Sequence, residues 1–144
     1  MSTTAVSAPA TTSLFWDDLA EDLKDPEFLR EFVRESVRIA TIDSLVNELN
    51  DARESADISK ALLAKAVGAD PASVRRLFSA THTNPTLGTV AELAAALGLR
   101  VTLEPLAPAA RDCVTTPLLE GVAKDPQAVA KYASKMRERQ KQAA

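Results

Sequence analysis

Two adjacent arginines, Arg75 and Arg76, sit in the stretch Pro71-Ala72-Ser73-Val74-Arg75-Arg76-Leu77-Phe78. At helical spacing Val74 and Leu77 point inward, which turns positions 72, 73 and 76 outward near the helix start. A guanidinium presented there is a rigid fork of donors. Arg76 can pair bidentately with a guanine edge, and Ala72 can pack on a thymine methyl. Ser73 is small enough to hydrogen-bond a base or a phosphate. Arg75 lies further round and is expected to meet a phosphate. This is chemistry of recognition rather than of bond breaking. The chain has no Gly-rich phosphate loop, no HExxH, no GxSxG and no CxxC. One histidine and one cysteine, Cys113, cannot make a protein-only zinc site. The acidic pairs Asp17/Asp18 and Glu21/Asp22 fall on an exposed helical face and suit solubility or a basic partner better than acid–base catalysis. No enzyme, cofactor or metal is expected.

The elements that must position these residues run from Ile58 to Leu99. Three apolar runs at helical spacing hold Leu62, Leu63, Ala66 and Val67, then Val74, Leu77 and Phe78, then Val90, Leu93, Ala94 and Leu97. Gly68 suits the left-handed position past a helix end. Asp70 stands where an N-cap belongs, with Pro71 at the first helical position. The gap of about three residues is that of a helix-turn-helix.

This order, with the ending Asn84-Pro85-Thr86-Leu87…Thr89-Val90-Ala91-Glu92-Leu93-Ala94-Ala95-Ala96-Leu97-Gly98-Leu99, resembles the Cro/cI-type (Xre) helix-turn-helix family over about 45 residues. The resemblance implies a five-helix domain whose second motif helix enters the major groove by its N-terminal half. It places Lys60 at the position that meets the DNA backbone. The loop Thr81-His82-Thr83-Asn84 and the helix start at Thr86 and Thr89 offer further backbone donors.

Charge is segregated along the chain. Residues 1–56 carry 5 basic and 12 acidic side chains, net −7; residues 57–104 carry 5 and 4, net +1; residues 105–144 carry 7 and 4, net +3. Affinity for DNA comes from local positive charge. The acidic third is therefore expected to face away from DNA, and a net of only +1 on the reading segment favours a dimer. Hydrophobic residues make up 46% of the chain and aromatics only 4%, so alanine and leucine must fill the core. The lone cysteine fits a reducing cytosol. No apolar run nears the length of a membrane span, and the start MSTTAVSAPATTS lacks the charge and apolar pattern of a secretory signal. A cytoplasmic protein is expected.

Taken in order, residues 1–13 read as a flexible leader and 14–40 as an acidic helical arm. Phe15 or Trp16, Leu19 and Leu23 share one face of its first helix. Asp25-Pro26 opens the next, with Phe28, Leu29, Phe32 and Val33 on its apolar side. Trp16 either packs on the domain or, with Phe15, anchors a partner protein. Thr41 or Asp43 can cap a separate helix that begins the reading domain, 41–104. Arg100-Val101-Thr102-Leu103-Glu104 alternates and ends at Pro105, the pattern of a short strand. A lone strand leaves backbone groups unpaired, so Val101 and Leu103 are expected to pair with a second copy. Residues 105–144 form a C-terminal extension, a linker (106–116) followed by short helices and a helical or flexible basic tail. The expected fold is all-α apart from that strand.

The acidic phrase DPEFLREFVRESVRIATIDSLVNELNDARE before such a domain resembles antitoxins of the HigA type. That resemblance implies a repressor that autoregulates its operon and neutralises a basic RelE- or HigB-like mRNA-cleaving toxin. Toxin contacts would come from Phe15, Trp16, Asp18, Glu21, Asp22, Phe28 and Phe32, operator contacts from Lys60, Ala72, Ser73, Arg75, Arg76, Thr83, Asn84 and Thr86. Some relatives carry a C-terminal tail that a chaperone or protease reads. Two alternatives stay open: a stand-alone Xre-type regulator without a toxin, and a protein-binding adaptor that no longer reads DNA.

Overall fold

The computed structural model describes residues 7–79 and 83–143, with side chains over 14–79 and 83–138. Eight helices account for the regular structure of the described residues: α1 Ser7–Asp22, α2 Pro26–Ser55, α3 Lys60–Val67, α4 Pro71–Ser79, α5 Leu87–Ala96, α6 Pro108–Cys113, α7 Thr115–Glu120 and α8 Pro126–Ala143. α1 begins at Ser7, inside the stretch read as a leader. Residues 1–6, and with them the start of that leader, lie outside the described residues.

The chain divides into two compact units, Ile39–Glu104 forming the body of one and residues up to Arg38 joining Pro105–Arg139 in the other. The core of the reading unit is Leu49, Leu63, Ala64, Val74, Leu77, Val90, Leu93 and Ala94, with Leu45, Val46, Ile58, Val67, Phe78 and Leu97 packed around it. These are the apolar positions of the three short runs, completed by the C-terminal half of α2. The unit therefore has four helical segments rather than the expected five. α2 is one continuous 30-residue helix. Thr41 and Asp43 do not start a new one, because a cap residue acts only where the backbone turns, and here nothing interrupts the i→i−4 ladder.

The other unit is built by residues far apart in sequence. Leu23, Leu29 and Val33 share a core with Val114, Val129 and Ala130, and Trp16, Leu19, Phe32, Val37, Leu118 and Tyr132 pack around it. Polar ties join the same partners. Arg30 donates to the carbonyls of Leu118 (3.1 Å) and Leu119 (3.5 Å), Gln127 donates to Asp17 (2.6 Å), and Arg137 donates to the fully buried Ser36 hydroxyl (3.1 Å). Gly121 sits at φ +71°, and a Cβ there would come within 3.1 Å of the Arg30 guanidinium. The C-terminal extension is thus neither a linker nor a loose tail. α6 replaces the expected linker and buries Ala110, and α8 docks through Val129, Ala130 and Ala133.

The strand expected at 100–104 is absent. Residues 99–107 carry no regular structure and are all exposed. Among the described residues no other strand offers hydrogen-bond partners, so five alternating residues form no ladder within the chain. Val101 is 40% and Leu103 98% exposed.

Candidate nucleic-acid interface

Local signals set each end of the reading helices. The Ser59 hydroxyl accepts from the Leu62 N–H at 3.0 Å and starts α3. Gly68 ends it in the left-handed region at φ +67°, and Ala69 N–H returns to the Ala64 carbonyl at 2.9 Å. That paired closure turns the chain sharply. The Asp70 carboxylate then accepts from the Ala72 N–H at 3.3 Å, so α4 starts at Pro71 with only Ala69 and Asp70 between it and Gly68. Arg53 holds the entrance from α2. Its guanidinium donates to Asn50 Oδ1 (2.9 and 3.1 Å) and to the Ile58 carbonyl (2.9 Å), and lies 5.7 Å from the centroid of the Phe78 ring on α4. Reading the sequence missed this clamp, because an arginine near a helix end is a common surface feature.

On α4, Val74 and Leu77 are buried, while Ser73, Arg75 and Arg76 are exposed and Ala72 is half-exposed. Arg76 Nη2 donates to Ser73 Oγ at 3.3 Å, a turn away on the same face. The Ser79 hydroxyl donates back to the Arg75 carbonyl at 2.7 Å. A groove of about 420 Å³ runs beside this face. It brings Ser73, Arg76, Thr83 and Asn84 together, with Val67, Val74, Leu77 and Leu93 at its floor. Thr89 and Glu92 of α5 line it as well. Glu92 had not been singled out in the sequence, although its position one turn from Thr89 carries the signal. Lys60, Ala72, Arg75 and Thr86 are not part of that groove. The Thr86 hydroxyl is engaged as the α5 N-cap, accepting from Thr89 N–H at 3.1 Å and donating to Thr89 Oγ1 at 3.0 Å. The Thr86 hydroxyl is thus committed to the cap of α5. Thr81 and His82 lie outside the described residues.

Residues 49–103 match a family model described as helix-turn-helix. The matched stretch holds two helices joined by a tight turn, as that description requires. The match covers α3, the Gly68–Asp70 turn, α4 and α5, and it supports a DNA-binding transcription regulator. No curated protein and no solved structure matches the chain. Among the described residues no helix is long and apolar enough to cross a membrane, and no cluster of metal-ligating side chains occurs.

The base contact expected of Arg76 and the backbone contact expected of Lys60 are distinguishable by experiment. Arg76→Ala is expected to cost about 1–3 kcal/mol on the preferred operator and to relax preference at one base pair, whereas Lys60→Ala weakens all sequences alike and lowers the salt slope by about one. Binding titrations at several salt concentrations, on a specific and a scrambled duplex, check both. Equal loss on both duplexes for Arg76→Ala makes that side chain a phosphate contact.

Proposed function

We propose that the chain is an antitoxin, a dimeric repressor of its own operon that also neutralises a basic mRNA-cleaving toxin of the RelE or HigB kind in the cytoplasm. The observation that supports this reading is the outer face of α1 and of the start of α2, which belong to the unit without the reading helix. Leu14, Phe15 and Phe28 are exposed large apolar side chains there, beside the exposed carboxylates of Asp18, Glu21 and Asp22. Glu21 pairs with Lys24 at 3.0 Å; Asp18 and Asp22 carry no ion pair among the described residues. Trp16 and Phe32 are half-buried and hold their neighbours in place. Trp16 meets Phe15 edge to face at 5.0 Å, and Phe32 stacks with Phe28 at 6.4 Å. An RNA-cleaving toxin is basic, so acidic groups steer its approach while the aromatics hold it.

Operator binding on this reading uses two copies. Each offers one short reading helix, so half-sites lie about 34 Å apart or a multiple of it. The exposed Val101 and Leu103 are the proposed contact between copies.

The test uses the product of the gene next to that of this chain, which this reading requires to be a small basic protein. Replacing Asp18, Glu21 and Asp22 by Asn, Gln and Asn is expected to slow association by roughly tenfold at low salt and to flatten its salt dependence, with dissociation little changed. Failure of the unaltered chain to bind that protein, or to protect cells from it, leaves a stand-alone regulator.

A further inference from the structure

The segment between α5 and α6 has two properties that conflict in a single chain. Leu99, Val101, Leu103 and Leu106 recur along it at the spacing of one strand face and its end, yet all are exposed. Its backbone has no regular partner among the described residues. Water around four large apolar side chains is unfavourable, and an unpaired strand-like edge is a template for a second chain.

The contacts that hold the C-terminal helices are indifferent to which chain supplies them. Each joins a residue at or before position 37 to one at or after 113. Leu23, Leu29 and Val33 meet Val114, Val129 and Ala130; Arg30 meets the Leu118 carbonyl, Asp17 meets Gln127, and Ser36 meets Arg137. Among the described residues the helix-turn-helix core includes none from the C-terminal helices. The attraction between an N-terminal third of net −7 and a C-terminal segment of net +3 acts equally on either copy.

We propose that in the dimer the C-terminal helices are exchanged, so that α6–α8 of one copy complete the core of α1 and α2 of the other. The proposal rests on the reading of Val101 and Leu103 as the contact between copies. Two identical segments related by a two-fold axis across them run antiparallel. Residue 104 of each then lies beside residue 100 of its partner, carried away from its own α5 by about 17 Å if the five residues are extended. Exchange preserves every contact of the unit and adds the pairing of the two segments, which covers their apolar side chains. Domain exchange of this kind is a low-cost route to a dimer. The toxin-binding unit then consists of two chains, and a monomer in its exchanged conformation would lack half of that core.

A cross-link decides it. In a Cys113→Ser background, Asp17→Cys and Gln127→Cys place two thiols at the site of the 2.6 Å hydrogen bond, and a short bismaleimide joins them. The result expected is a covalent product of twice the chain mass on a denaturing gel, dominant over the monomer-mass product by about tenfold. The single-cysteine controls should give none of it. Adding Val101→Asp and Leu103→Asp should return the cross-link to monomer mass. A monomer-mass product from protein that sediments as a dimer overturns exchange while leaving the segment as a dimer contact. A monomer-mass product from protein that sediments as a monomer overturns both.

Discussion

Deleting residues 105–144 leaves Leu23, Leu29 and Val33 without cover and is expected to unfold α1 and the first half of α2. Leu29 is 0% and Leu23 1% exposed in the intact unit. Returning three such side chains to water costs on the order of 5 kcal/mol, a loss comparable with the whole stability of a small domain. The ties of Arg30, Asp17 and Ser36 disappear with it. Circular dichroism should show more helix lost than α6–α8 themselves contain. Toxin protection should vanish, although every acidic and aromatic residue proposed to contact the toxin is still present. Operator binding should persist, since no deleted residue whose side chain is described belongs to the helix-turn-helix core. A truncated chain that still protects cells would mean that the N-terminal segment folds on the toxin by itself.

Leu93→Ala should produce the opposite separation. Leu93 is fully buried where α3, α4 and α5 meet, and it also lines the floor of the groove beside Arg76. A leucine truncated in such a core costs about 2–5 kcal/mol. For a unit of this size that lowers the melting temperature by roughly 10 °C or more. Calorimetry should show the transition of the reading unit moving down while the N- and C-terminal unit keeps its own. Operator binding should fail at the temperature where that first transition now lies, and should recover on cooling. A variant that melts as the unaltered chain does would mean that the core collapses to fill the space.

The helix-turn-helix was legible because its punctuation is chemical and local. Gly68, Asp70-Pro71 and Thr86 each act on the backbone within a few residues, and the structure places them at helix ends. The inward pair Val74 and Leu77 implies the outward set Ala72, Ser73 and Arg76, of which Ser73 and Arg76 are exposed and Ala72 is half-exposed. The union of the N- and C-terminal segments was not legible, because alanines make part of its C-terminal side. Ala110, Ala130 and Ala133 are buried, but alanine gives little apolar contrast to a helix that also carries Lys131, Lys135 and Arg137. Nor does periodicity say which distant face a helix will cover. The break expected at Thr41 to Asp43 failed for the converse reason, since capping residues are common inside helices whose cores lie elsewhere. The alternation at 100–104 is real, but alternation alone does not supply a partner strand. Cys113, noted only as a lone thiol, proves to pack beside the core of the N- and C-terminal unit. Its burial, with Asp112 and Asp125 nearby, pushes the thiol above its usual range, so it stays protonated at neutral pH.

The uninterrupted α2 has a consequence for how folding begins. Starting a helix is the unfavourable step, and lengthening it costs little by comparison. α2 gives Leu29 and Val33 to one core and Leu49 to the other. Whichever core forms first therefore supplies a helical nucleus from which the second can grow, without a second initiation. The two units should show kinetic cooperation that their separate cores do not require. A proline at Ile39, near the middle of α2, would cut propagation between them, so that each half would have to nucleate by itself and refold more slowly than in the intact chain.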